Sequence, residues 1–219
     1  MYNSQGKPIF KNYLSSTAID ISISNYNKYL AMAEVDTTGT IIQSNIKIVS
    51  IDKASKEEND WLEKTYKCES GKLITNIKYQ NKNRLVCMFT DSIDVIENGE
   101  IINLEKNVNK KITFQSINLL NYACVVEEKS LGVFTADSQV ELINIENKEI
   151  KEYIAKSVTK EIYTYGDVLA LNLGTEIELI NTSGWLVKRY IANQEITNIV
   201  ISDSIAGIIY KDKIEIINL

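Results

Sequence analysis

Asn181 to Ser202 reads NTSGWLVKRYIANQEITNIVIS, and Asn3 to Ser24 reads NSQGKPIFKNYLSSTAIDISIS. The two align without a gap: Asn3 on Asn181, Gly6 on Gly184, Ile9 on Val187, Ile21 on Ile199, Ser24 on Ser202. Each is a glycine turn, a strand of mixed character, a polar link and an alternating apolar strand. Self-similarity of this kind marks a repeat architecture, in which each unit buries its apolar face against the next.

Outward from these copies, apolar residues alternate or form short runs bounded by Asn, Asp, Gly and Ser. That is the strand pattern, and the helix signal is weak. The runs fall into units with approximate bounds 15–72, 73–110, 111–157, 158–194 and 195–219, the last joined by 7–14. Four units hold about four strands each. The Asn98-Gly99 pair between SIDVIE and EIINLEK is a strong hairpin signal. DVLALNL, RLVCMFT and SIAGIIY are apolar throughout, as central strands buried on both faces must be. IKEYIAK and WLVKRYIA carry charge, as outer strands facing water do. The stretch KSLGVFTADS has no fixed place in the register.

This pattern predicts an all-β fold, a β-propeller of four-stranded antiparallel blades, five in number, forming one domain over 1–219. The last unit ends one strand short, and KPIFKNYL (Lys7 to Leu14) stands unpartnered at the start. Placed beside KIEIINL, it would close the ring and cover two exposed strand edges. An open arc, a fragment of a larger ring and a stacked sandwich give the same repeats and stay open as alternatives.

Composition narrows the chemistry. The chain has no histidine, so His bases and His metal ligands are excluded. Arg84 and Arg189 are the only arginines, which excludes a guanidinium cluster for anions. Net charge is −5 with signs interleaved, which argues against a nucleic-acid partner. Cys68, Cys87 and Cys124 have no metal or redox spacing. Cys87 and Cys124 read as buried small hydrophobes. No run approaches the ~18 apolar residues of a membrane span, and as given the chain reads as soluble and unaddressed.

The stretch AIDISISNYNKYLAMAEVDTTGTIIQSNIKIVSID resembles a bacterial family of unknown function in which a membrane helix precedes a propeller of WD40-like or quinoprotein-like strand order. Ser24, Lys28, Tyr29, Leu30, Ala31, Asp36 and Gly39 carry that resemblance. It implies no assigned activity and no catalytic residues. It does imply a place on the extracytoplasmic face of the cell membrane. A chain complete as given would instead be cytoplasmic.

Sialidase-type chemistry needs several arginines and Asp-box turns, and a quinoprotein needs blade tryptophans. Trp61 and Trp185 are the only tryptophans. Most aspartates, among them Asp36, Asp91, Asp94, Asp137, Asp167 and Asp203, read as turn caps. Asp20, with Asn198 as its counterpart in the fifth unit, is the candidate for a channel-facing carboxylate. Tyr163 and Tyr165 alternate along KEIYTYG, packing between blades or lining the channel mouth. Trp61, in the charged insertion EENDWLEK, is a candidate partner-binding point. The leading expectation is a non-catalytic propeller that binds a protein, peptide or glycan on a rim face, without a cofactor. The alternative is a calcium- or other divalent-cation-dependent hydrolase or lyase with carboxylates in the central channel.

Overall fold

The computed structural model describes residues 1–219 except 9, 12, 15, 57–59, 81–83, 107–111, 118–121, 129–137 and 203, with backbone alone over 105–106, 112–117 and 122–128. The doubtful KSLGVFTADS stretch, Asp137, Asp203 and the Cys124 side chain therefore lie outside the described set. The chain forms two compact units, Met1–Val108 and Asn109–Leu219.

The first unit holds two antiparallel sheets. The first sheet takes β1 (Thr17–Ile23), β2 (Tyr29–Asp36), β3 (Gln43–Ser50) and β4 (Leu62–Lys67) in chain order. The second takes β5 (Ile74–Tyr79), β6 (Leu85–Phe89), β7 (Ser92–Glu97) and β8 (Glu100–Lys106) likewise. Asn98 and Gly99, at φ 51 and 85, close the β7–β8 hairpin with the doubly left-handed turn that Asn-Gly favours. Ala31, Ala33, Ile46 and Tyr66 of the first sheet pack on Ile74, Ile77, Leu85, Cys87 and Phe89 of the second.

The second unit holds three sheets. The third is β9 (Ile112–Ile117), β10 (Tyr122–Glu128), β11 (Ser138–Asn144) and β12 (Ile150–Ile154). The fourth is β13 (Glu161–Tyr165), β14 (Val168–Asn172), β15 (Glu176–Asn181) and β16 (Leu186–Ile191). The fifth, among the described residues, has three strands: β17 (Ile196–Ile201), β18 (Ile205–Tyr210) and β19 (Ile214–Asn218). Val140 and Leu142 pack on Ile162, Leu169, Leu171 and Ile180. Ala170, Ile177 and Leu179 pack on Ile196, Ile199, Ile201 and Ile208. The alternation read in the sequence thus sends successive residues to two different neighbours.

The expected strand over Lys7–Leu14 is not formed among the described residues. Pro8 makes an isolated bridge with Tyr2. Phe10 stacks edge-on against Trp61, with ring centroids 5.0 Å apart. The pair joins Leu30, Met32 and Val49 on the face of the first sheet opposite the second. Around the charged insertion, Ile51–Ser55 forms a short helix, α1, and Leu62 opens the fourth strand.

Two repeated devices join sheet to sheet. The first is an acid near the start of the third strand, buried or half-buried. Glu178 is wholly buried on β15. It accepts Tyr153 Oη at 2.9 Å from the neighbouring β12 and Arg189 Nη2 at 2.6 Å. Glu215 of β19 accepts Tyr190 Oη at 2.8 Å from the neighbouring β16 and Tyr210 Oη at 3.2 Å. In the first unit Asp94 of β7 takes the place, bonded by Lys72 Nζ at 2.9 Å and Asn103 Nδ2 at 2.7 Å. Asp94 is therefore not the turn cap expected of it. Burial, with the Glu178 charge beside it, pushes the Tyr153 hydroxyl up to about 12, so it stays a donor at neutral pH.

The second device is a bulge in the first strand. The register shifts by one residue at Ile19, Thr75, Thr113 and Thr197, in four of the five first strands. Thr75 and Thr197 each turn a hydroxyl onto the second strand, to Met88 O at 3.1 Å and Ile209 O at 2.8 Å. The extra residue bends the strand and strengthens its twist.

Tyr153→Phe removes a hydrogen bond to a buried carboxylate without changing shape. It is expected to cost about 1–2 kcal/mol in urea unfolding. Tyr26→Phe, at a fully exposed ring, is expected to stay within about 0.5 kcal/mol of the parent. Equal effects of the two would remove the inter-sheet role of the Tyr153–Glu178 bond.

Candidate functional site

Asp20 sits on β1 beside the bulge. Its Oδ1 accepts the Ile21 N–H at 2.8 Å, and its Oδ2 accepts the Ile77 N–H of β5 at 2.9 Å. Two residues on, Ser22 Oγ accepts the Tyr79 N–H at 2.8 Å. Both side chains brace the first strand of one sheet to the first strand of the next. Glu161 does the same in the second unit by accepting the Ile199 N–H, while burial pushes its pKa up. Asn198 occupies the bulge position equivalent to Asp20, is exposed, and belongs to the other unit.

The remaining candidates separate too. Trp61 is half-buried under Phe10 at the start of β4, on the opposite side of its sheet from β1. Tyr163 packs into the core between the fourth and fifth sheets. Tyr165, one turn of the pleat further, reaches the end of that interface and is partly exposed. Among the described residues no three His, Cys, Asp or Glu side chains gather as metal ligands. Burial pushes the Cys68 thiol up to about 11 and Cys87 well above its ordinary value, so both are protonated at neutral pH.

What the geometry does provide, in each unit, is a groove at the end of an inter-sheet interface. In the second unit Tyr165, Val168, Leu179, Val187, Ile201 and Leu219 line a cavity of about 320 Å³. Trp185, 71% exposed, stands in the adjoining hairpin, with its N–H on Asn181 Oδ1 at 3.0 Å. In the first unit Tyr29, Ile48, Tyr66, Tyr79, Leu85 and Ile96 line a cavity of about 480 Å³. The positions correspond: the start of the second strand, the fourth strand, and the end of the next sheet's first strand. Of the candidates from sequence, only Tyr165 touches either groove. The signal that could have found the rest is the recurrence of aromatic or aliphatic residues at those three places, legible only once the strands are in register.

Residues 1–219 match the model of a family of unknown function, DUF5711. The chain belongs to this family. No curated protein matches it in sequence. Its fold is that of solved β-propellers. Sqt1 from Chaetomium thermophilum, bound to the N-terminus of the ribosomal protein L10, superposes with a TM-score of 0.62 at 12% identity over 93% of this chain and 61% of Sqt1. The β-propeller domain of the Trilobed protease from Pyrococcus furiosus, which has an open velcro topology, gives 0.61 at 11% identity over 93% and 69%. Hsv2p from Kluyveromyces lactis gives 0.60 at 12% identity over 92% and 74%. AztD from Citrobacter koseri gives 0.53 at 11% identity over 87% of this chain and 51% of its own, so this chain spans about half of AztD and three-fifths of Sqt1. Among the described residues no helix is long and apolar enough to cross a membrane.

Asp20→Ala removes two hydrogen bonds to backbone donors and is expected to cost about 1–2 kcal/mol by urea unfolding. Asp20→Asn, which keeps one acceptor, is expected to cost less. If neither changes the midpoint, Asp20 is free for another role.

Proposed function

We propose that this chain is a non-catalytic propeller scaffold that binds a protein or peptide partner on a rim face, through a groove of the kind each unit carries, at the cell envelope. The observation that carries the reading is the recurrence of an apolar, aromatic-edged groove at the same inter-sheet position in both units. Exposed aromatics beside a cavity are the usual centres of binding energy, and Trp185 and Tyr165 stand there. Sqt1, with the same kind of fold, is bound to a peptide segment of its partner. The envelope location is supported by the resemblance of the Ala18–Asp52 stretch to membrane-tethered propellers.

Panning a displayed random peptide library on the full chain tests the scaffold. Enriched peptides are expected, and Trp185→Ala with Val187→Asp is expected to weaken those bound in the second unit about tenfold or more with unfolding unchanged. No enrichment over an unrelated protein would sink the reading. A rise in thermal midpoint with added calcium, reversed by chelator, would favour the cation-dependent alternative instead.

The five sheets are, on this reading, blades of one ring, with Lys7–Leu14 as the fourth strand of the fifth. Three observations support it. Leu219 N and Tyr210 N bond across the β18–β19 pair, so alternate backbone groups at Ile214 and Ile216 point outward along an open edge. Tyr13-Leu14, one place out of the gapless alignment, repeats the tyrosine and branched residue of Tyr153-Ile154 and Tyr190-Ile191, whose tyrosines reach the next sheet's acid. Glu34 of the first sheet is buried and takes Ser16 Oγ at 2.6 Å and Lys47 Nζ at 2.7 Å, yet its Oε1 has no donor. Deleting residues 1–14 is expected to lower the thermal midpoint and raise hydrogen exchange in β19. An unchanged midpoint and exchange would favour an open ring.

A further inference from the structure

The first-unit groove differs from its counterpart in charge. Lys28 Nζ lies 5.1 Å from the Tyr29 ring centre, and Lys64 Nζ lies 4.6 Å from that of Tyr66. Lys64 also donates to Gly99 O at 2.8 Å. No carboxylate pairs with Lys28 or Lys64 among the described residues. The one carboxylate lining the cavity, Glu63, is held by Lys53 at 3.3 Å. The groove is thus locally cationic on a chain of net charge −5. At contact distance these local charges outweigh the distant ones, which salt screens beyond about 8 Å.

We propose that this groove binds an extended acidic peptide, with an apolar side chain in the tyrosine-lined cavity and carboxylates on Lys28 and Lys64; the proposal rests on the scaffold reading above. The cavity of about 480 Å³ takes a large side chain with room to spare. Tyr66 and Tyr79 are buried in its floor. Desolvation raises the Tyr79 hydroxyl, so it stays neutral. A sugar would stack on a tyrosine face, but the two ammonium groups already cover the faces of Tyr29 and Tyr66. A nucleic acid needs more cations than two lysines provide.

The turn before Lys28 and Tyr29 of the groove is strained and exposed. Tyr26 and Asn27 hold φ of 63 and 54. Tyr26 is 99% exposed. Bulky residues avoid the left-handed region, and strain of this kind is kept where surrounding contacts hold it. Here Ser24 holds it: its N–H donates to Tyr29 O, and its Oγ accepts the Tyr29 N–H at 2.8 Å. The turn buries nothing with its aromatic ring, which stands two residues from Lys28 and free for contact.

Peptides enriched from the random library at low salt, sequenced and labelled for fluorescence anisotropy, provide the test. A subset rich in Asp and Glu around an apolar residue is expected. Their dissociation constants are expected to rise about tenfold or more with Lys28→Glu/Lys64→Glu, and less with Lys28→Gln/Lys64→Gln. Both lysines are exposed, so circular dichroism is expected to match the parent. An enriched pool without acidic bias, or acidic peptides indifferent to both double variants, overturns the proposal while leaving the scaffold reading standing. No enrichment of any peptide removes both.

Discussion

A carboxylate buried between two sheets has to find donors there, and this requirement organises the second unit. Glu178 is fully desolvated. An uncompensated charge in that position costs several kcal/mol. Its donors are Arg189 on its own sheet and Tyr153 on the preceding one. The acid is thus satisfied in full only when the two sheets stack in order and in register. Glu215 repeats the arrangement with Tyr190 and Tyr210. Apolar packing alone tolerates slippage between layers, because Ile and Leu faces are interchangeable at modest cost. The tyrosine–acid bond is what makes one offset better than its neighbours.

The first unit solves the same problem with different residues. At the junction of its two sheets the acid is Asp94 and the chief donor is Lys72, only 7% exposed, with its ammonium 4.9 Å from the Phe89 ring. The Lys72 carbonyl accepts Ser44 Oγ at 2.7 Å, and Ser44 in turn accepts the Ile74 N–H. Ser138 plays the corresponding part in the second unit, accepting the Thr159 N–H. A serine at the start of the third strand and an acid a few residues later therefore serve one purpose: both capture the chain as it crosses to the next sheet. Asp20 belongs to the same class. Its two oxygens are occupied by backbone donors, which makes it part of the frame.

Strand content, sheet order and the Asn98-Gly99 hairpin were legible because they rest on local rules: alternation, apolar runs and turn chemistry. The inter-sheet bonds were not, although their sequence trace is plain in retrospect. VELIN, IELIN and IEIIN recur with the acid in second place, and EYIA and RYIA recur with the tyrosine. An acid inside an alternating strand reads as solvent-facing, because periodicity records which side a residue takes and not what stands opposite. The same blindness hid the grooves. Tyr29, Tyr66 and Tyr79 come from three strands in two sheets, and their convergence depends on offsets that the Lys72–Asp94 bond and the first-strand bulges set. At Lys7–Leu14 the likeness to β16 marks a strand pattern, while the contact of Phe10 with Trp61 has no local signal.

The distribution of exposed apolar residues bears on what the end sheets require. Sheets flanked on both sides cover their faces with neighbours. Within its own unit the fourth sheet has two neighbours, and the first and fifth, like the second and third, have one. Repeat proteins that end openly carry a polar outer face on the terminal unit. This chain does not: Ile21 and Ile23 on β1 are 61% and 48% exposed, and Val200, Ile214 and Ile216 on the fifth sheet are 46%, 68% and 70% exposed. No lysine or glutamate has replaced them, although Glu215 and Lys213 show that charge is tolerated in the same strand. Branched residues just as exposed stand on the outer strands of other sheets, Ile154 at 64% and Ile191 at 71%, and together they leave a large apolar area in water, at roughly 25 cal/mol per Å². Within its own unit, the alternation of β1 and of β19 buries one face and leaves branched side chains of the other in water.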